Sequence, residues 1–133
     1  MTAVLIFAGS QISRAQTRDA LHTPKKGSAE RQLILDALRS GTKTKLRVSF
    51  LKVHNGWAWI DATPLDAQGR PIAEGGPSLL HLEDNRWTIK DLSSVPFDPN
   101  NPMGAEDVSR LYLANLRKVF PGVPLDIFPK PRS

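Results

Sequence analysis

The chain has 133 residues, 40% of them hydrophobic, with 18 Lys or Arg against 13 Asp or Glu, a formal net charge of +5, and no cysteine. That length and apolar content support one domain with a real core and leave little room for a second. The lack of cysteine excludes disulfides, thiolate nucleophiles and Cys-ligated zinc or iron–sulfur centres, and no apolar run approaches the ~18 to 20 residues that cross a bilayer.

Residues 3–9, Ala-Val-Leu-Ile-Phe-Ala-Gly, form an uncharged apolar block, and Ser13-Arg14-Ala15 follows as a small-x-small site. Together they fit a secretory signal over 1–15 with a mature chain starting near Gln16, although no Lys or Arg precedes the block and its length is at the short end for such a region. The alternative is a first β-strand, Val4 to Phe7. Residues 16–27, closing on Thr23-Pro24-Lys25-Lys26-Gly27, lack apolar periodicity and read as a flexible lead-in, with order beginning just after it.

Ser28 is a natural N-cap, and Glu30 falls in a first turn where the helix dipole favours an anion. Leu33, Ile34, Ala37 and Leu38 then share a face until Ser40-Gly41, which predicts a helix over about 29–40. Asn55-Gly56 follows between two alternating runs. This dipeptide is the strongest short-range signal for a two-residue type I′ hairpin, because both central residues take positive φ. A turn closed there pairs His54 with Trp57, Val53 with Ala58, Lys52 with Trp59, Leu51 with Ile60 and Phe50 with Asp61. Leu51, Val53, Ala58, Ile60 and Ala62 form an apolar face, and Lys52, His54, Trp57, Trp59 and Asp61 form the other. Leu46, Val48 and Phe50 are out of phase with Leu51 and Val53, which calls for a β-bulge near Phe50 or for a strand buried on both faces.

The second strand, Trp57 to Thr63, is expected to stop at Pro64, before a Gly- and Pro-rich loop from Asp66 to Pro77. Ser78 to Leu82 and Arg86 to Leu92 flank Asp84-Asn85, a pair that tolerates left-handed conformations and can close a second hairpin. Its register sends Leu80, Leu82, Trp87 and Ile89 to one face, with Trp87 in the core. Residues 93–104, with three prolines, make a connecting arm. A second helix is predicted over Ala105–Val119, using Val108, Leu111, Tyr112, Leu116, Val119 and Phe120, and stopping at Pro121-Gly122. The apolar segment Val123–Phe128 is expected to dock on the core, and 129–133 to fray. The domain proper is thus 28–128. Its order α, β, β, β, β, α predicts an α+β fold, a four-stranded, mainly antiparallel sheet of two hairpins with both helices on one side.

Several motifs carry a resemblance. Glu30-Arg31-x-x-Ile34-x-Asp36-Ala37-Leu38-Arg39, then Leu51-x-Val53-x-x-Gly56-Trp57-Ala58-Trp59, Pro64-x-x-x-x-Gly69, Leu79-Leu80-x-x-x-Asp84-x-x-Trp87 and Pro124-x-x-Ile127-Phe128 resemble small exported bacterial proteins of uncharacterised activity. The resemblance covers most of 27–128. It implies export, to the periplasm or outside the cell, and an α+β roll of the cystatin or nuclear-transport-factor-2 kind. It implies no activity and transfers no catalytic residue. Trp59 stands where a different aromatic is common, and Asn85 where Gly is usual.

The face bearing Lys52, His54, Trp57, Trp59 and Asp61 is the candidate ligand-binding site. An imidazole and a carboxylate could act as base and acid, and two indoles could seat a sugar ring or a cation. Equally, the indoles could pack beneath a helix or the carboxy-terminal segment, with the Lys52 stem against one of them. His22, His54 and His81 show no metal-ligand spacing, Gly75-Gly76-Pro77 lacks the Lys of a phosphate loop, and no GxSxG occurs. No cofactor, metal or catalytic residue is assigned. Residues 14–52 hold ten Lys or Arg against Asp19, Glu30 and Asp36. These charges are dispersed and lack an aromatic RNA-binding motif, so nucleic acid is disfavoured as a partner. Two functions are compatible with these residues: a binding domain for an envelope protein, glycan or small ligand, or a small enzyme with a cavity between sheet and helix lined by His54 and Asp61.

Overall fold

The computed structural model describes residues 20–131. The expectations of a signal over 1–15, or of a strand over 4–7, lie outside the described residues. Helix α1 is Ala29–Arg39, strands β1 to β4 are Lys45–His54, Trp57–Leu65, Gly76–Glu83 and Arg86–Lys90, and helix α2 is Arg110–Val119, with short 3-10 turns at Leu92–Ser94, Gly104–Glu106 and Leu125–Ile127. The strands form one open antiparallel sheet in the order β1-β2-β3-β4, an α+β fold.

Turn chemistry sets the register. Asn55 and Gly56 both take positive φ, and β1 pairs with β2 from His54↔Trp57 to Phe50↔Asp61 as the dipeptide predicts. Asp84 and Asn85 close the second hairpin in the same way, pairing Leu82 with Trp87. The phase conflict in β1 is resolved by a bulge between Val48 and Phe50. The extra residue, Ser49, returns Leu46 and Val48 to the face of Leu51 and Val53, where all four join one apolar cluster. Phe50 turns to the opposite face and packs on the other cluster.

The placement of the helices is the main departure from expectation. Ala58, Ile60 and Ala62 lie under α1 with Ile34, Leu35, Leu80 and Trp87. Trp57, Trp59 and Leu79 lie under α2 with Tyr112, Leu113, Leu116, Val123, Ile127 and Phe128. The helices therefore cover opposite faces, not one side, and the sheet is the middle layer. Alternating side chains of β2 point to opposite faces, so over Trp57, Ala58, Trp59 and Ile60 both parities are apolar and buried.

Helix α1 ends one residue early, with Ser40 left-handed at its C-cap and Ser28 capping the Arg31 N–H. It buries Ile34 and Leu35, while Leu33, expected on the core face, is 55% exposed. The second predicted helix is shorter than 105–119. Ser109 breaks it: its hydroxyl accepts from the Tyr112 N–H at 3.1 Å and donates to Asp98 Oδ2 at 2.8 Å. That local bonding competes with a continuous helix, so the chain makes one 3-10 turn at 104–106 and begins α2 only at Arg110. Leu111 is left 46% exposed, and Leu113 takes its place inside. Asp98, Ser109 and Asn101, all buried, tie the 93–109 arm to the start of α2.

Strand β2 runs past the predicted stop to Leu65. Pro64 fits because it pairs with Leu46 beyond the last β2–β3 pair, Ala62↔Gly76, and its carbonyl accepts from Ile72 on the side away from β1. The lead-in is also corrected from residue 20 onward. His22 exchanges both backbone hydrogen bonds with Val53, at 2.9 and 2.8 Å, the Thr23 hydroxyl donates to the Leu51 carbonyl, and the Arg31 guanidinium holds the Pro24 carbonyl. An exposed strand edge offers unpaired backbone groups to any nearby segment, and this strap satisfies them along part of β1. The tail segment docks as expected, with Val123, Ile127 and Phe128 buried.

Candidate functional site

Lys52, His54, Trp57, Trp59 and Asp61 do share one face, because the hairpin register holds. They do not form one site. Trp59 is 1% exposed and packs against the tilted ring of Phe128, with ring centroids 4.8 Å apart and planes at 56°. Trp57 is buried too, stacked on the His81 ring at 4.0 Å and flanked by Phe120 at 6.2 Å. Helix α2 and the segment after it cover both indoles, so neither offers a platform to a sugar or a cation. Lys52 sits opposite Trp59 in the ladder and is half-buried.

His54 and Asp61 part company along the ribbon. Since His54 pairs with Trp57, Asp61 lies four residues further on, about 13 Å away at ~3.3 Å per residue. The His54 partner is Asp126, whose carboxylate accepts from Nδ1 at 2.8 Å. Asp61 instead lines an open cleft of 270 Å³ with Glu74, Gly75, Gly76, Pro77 and Glu106.

Two features of this face escape a reading of β1 and β2 alone. His54, Trp57, His81 and Thr88 make a continuous cross-strand row over all four strands. His81 donates from Nδ1 to Glu83 Oε2 at 2.9 Å, and Lys90 Nζ reaches the same oxygen at 3.0 Å. These hydrogen bonds, from His81 first and then Lys90, hold the Glu83 carboxyl below its ordinary range. The His81-x-Glu83 spacing was the available signal, because residues two apart in a strand share a face. No comparable signal links His54 to Asp126, 72 residues away.

Every histidine thus faces a carboxylate. His22 makes the tightest arrangement: Nε2 meets Glu30 Oε1 at 2.6 Å and Nδ1 meets the Ala20 carbonyl at 2.7 Å. Both partners are acceptors, which suits the doubly protonated ring. Burial lowers its pKa, but the Ala20 carbonyl and Glu30 outweigh that and raise it above the ordinary value. Among the described residues no group of three or more His, Cys, Asp or Glu could hold a metal ion, and no helix is long and apolar enough to cross a membrane.

Comparison with protein-family models, with curated proteins and with solved structures finds no match to this chain.

Proposed function

We propose that this chain is an exported, non-enzymatic interaction domain that works in the cell envelope, in the periplasm or outside the cell. The observation that carries the non-enzymatic half is the separation of its candidate acid and base. General acid–base catalysis needs both groups within hydrogen-bond reach of one substrate, yet His54 is engaged by Asp126 while Asp61 lies four residues further along the ribbon, beside Glu74. With both faces of the sheet covered, recognition falls to the perimeter, where the basic half of the chain meets solvent.

Export is supported by the apolar block at 3–9, the Ser13-Arg14-Ala15 site and the resemblance to exported proteins. The test is fractionation of the native host, amino-terminal sequencing of the recovered chain, and affinity capture from envelope extract. A chain beginning near Gln16, in the envelope fraction and with a reproducible protein partner, is the expected result. An intact Met1 in the cytosol overturns export, and recovery of no specific partner overturns the interaction role.

A further inference from the structure

Strand β1 is an edge of the sheet, and its outer side has two unlike halves. At Leu51 and Val53 the backbone is already engaged by the strap at Thr23 and His22. That strap runs antiparallel to β1 and leaves it at Pro24, so it does not reach the half before the bulge. There the register shows which groups point outward. In an antiparallel pair, residues alternate between exchanging hydrogen bonds with their partner and turning their N–H and C=O away. Pro64 has no N–H, and its carbonyl serves Ile72 on the far side. Leu46↔Pro64 and, two residues on, Val48↔Ala62 are therefore outward-facing positions of β1. Among the described residues, no backbone group bonds to the outer side of Leu46 or Val48.

The side chains around this open edge are sharply divided. Leu46 and Val48 lean on the α1-side core and are half-buried. Lys43, Lys45 and Arg47 are exposed, and among the described residues none of them makes an ion pair. Lys45 and Arg47 project from the opposite face to Leu46 and Val48, as strand alternation requires.

We infer that the open edge at Lys45–Val48 is a docking site for an extended strand of another protein, one that alternates acidic with apolar side chains and adds to the sheet beside β1. Main-chain bonds to Leu46 and Val48 would supply the pairing, as in other cases of strand addition. Carboxylates would fall opposite Lys45 and Arg47, and apolar side chains beside Leu46 and Val48, because cross-strand neighbours share a face. A second copy of this chain is the poorer occupant. Two β1 edges related by a two-fold axis through Arg47 set one guanidinium against the other, and like charges directly opposite are destabilising. Exposed cations on an edge strand are a known device against self-pairing. The inference rests on the interaction role proposed above and names the partner chemistry for it.

The test uses the full chain and a capped peptide of roughly ten residues alternating Glu and Val, with a Lys-and-Val peptide as control. Expected are saturable binding of the acidic peptide alone, protection of the Leu46 and Val48 amides from hydrogen exchange, and a loss of roughly tenfold or more in affinity, about 1.4 kcal/mol, for Arg47→Glu. Lys118→Glu, an equal charge change on exposed α2 surface, should leave binding unchanged; circular dichroism verifies that both variants fold. Absence of binding, binding without protection of those two amides, or equal losses for the two variants would each overturn the inference. So would protection of the same amides by self-association without peptide. If envelope capture recovers the same partner with wild type and with Arg47→Glu, the edge is not the docking site and the interaction role stands; if it recovers none with either, both fall.

Discussion

Replacing Trp59 with alanine measures how much of the supposed site is in fact scaffold. The side chain is 1% exposed, lies between Lys52 on β1 and Leu79 on β3, and meets Phe128 from the carboxy-terminal segment. A buried aromatic of this kind removes roughly 150 to 250 Å² from water, which at ~25 cal/mol per Å² corresponds to about 4 to 6 kcal/mol. Two corrections lower that figure. The unfolded chain already hides part of its apolar surface, and alanine keeps one methyl group in the site. The expected loss is about 3 to 5 kcal/mol, the usual range for emptying such a position, a large share of the ~5 to 15 kcal/mol that holds a domain folded. Urea unfolding followed by far-ultraviolet circular dichroism is the assay, because the variant loses one of only three tryptophans and fluorescence would change for trivial reasons. With a slope of roughly 2 kcal/mol per molar, the midpoint should fall by about 2 M. Trp57→Ala should cost more than about 2 kcal/mol but less than Trp59→Ala, since Trp57 lies nearer the rim at 8% exposure. A Trp59→Ala midpoint within about 0.3 M of the parent at unchanged slope, or native indole fluorescence fully accessible to iodide, would refute the buried placement and make the face a ligand platform after all.

The other predictions concern the strap and the loop before β3. The pKa of His22 is raised in the folded chain, so its charged pairing contributes most below the unfolded value and is lost as pH rises through the folded one. Glu30→Gln should therefore cost more stability at pH ~6 than at pH ~8.5, no more than about 1 kcal/mol because the pair is partly solvent-screened, and so lower Tm more at the lower pH; a gap that widens with pH would contradict it. A Cβ at Gly75 would overlap the Thr63 hydroxyl and stand 2.7 Å from the Ala62 carbonyl, whereas one at Gly76 would meet nothing within 4 Å. Gly75→Ala should cost about 1 to 3 kcal/mol by overpacking, and Gly76→Ala less than about 1; equal urea midpoints for the two would show the loop packed differently.

Short-range chemistry in the sequence determined the two hairpins and their registers, though not where every strand ends. Asn55-Gly56 and Asp84-Asn85 each specify a turn whose geometry sets the pairs next to it, while the phase slip between Val48 and Leu51 left a bulge and two-faced burial open until the pairing showed the bulge. Ser28 and Glu30 mark the start of α1 for the same local reason. Tertiary structure alone decided which surface each helix covers. Periodicity reports that a side chain is buried but not what buries it, and in β2, apolar on both faces, it loses even the contrast that would assign a side. The partner of His54 is equally invisible, because Asp126 reaches it through the docking of a segment 72 residues away. Likewise the 105–119 periodicity does not reveal that Asp98 holds Ser109 and delays α2, nor does the polar lead-in reveal that His22 pairs with Val53. Each of these depends on contacts between segments distant in the chain, where burial and backbone satisfaction outweigh local propensity. Those contacts buried Trp57 and Trp59 and, among the described residues, left the outer backbone of Leu46 and Val48 without a backbone partner.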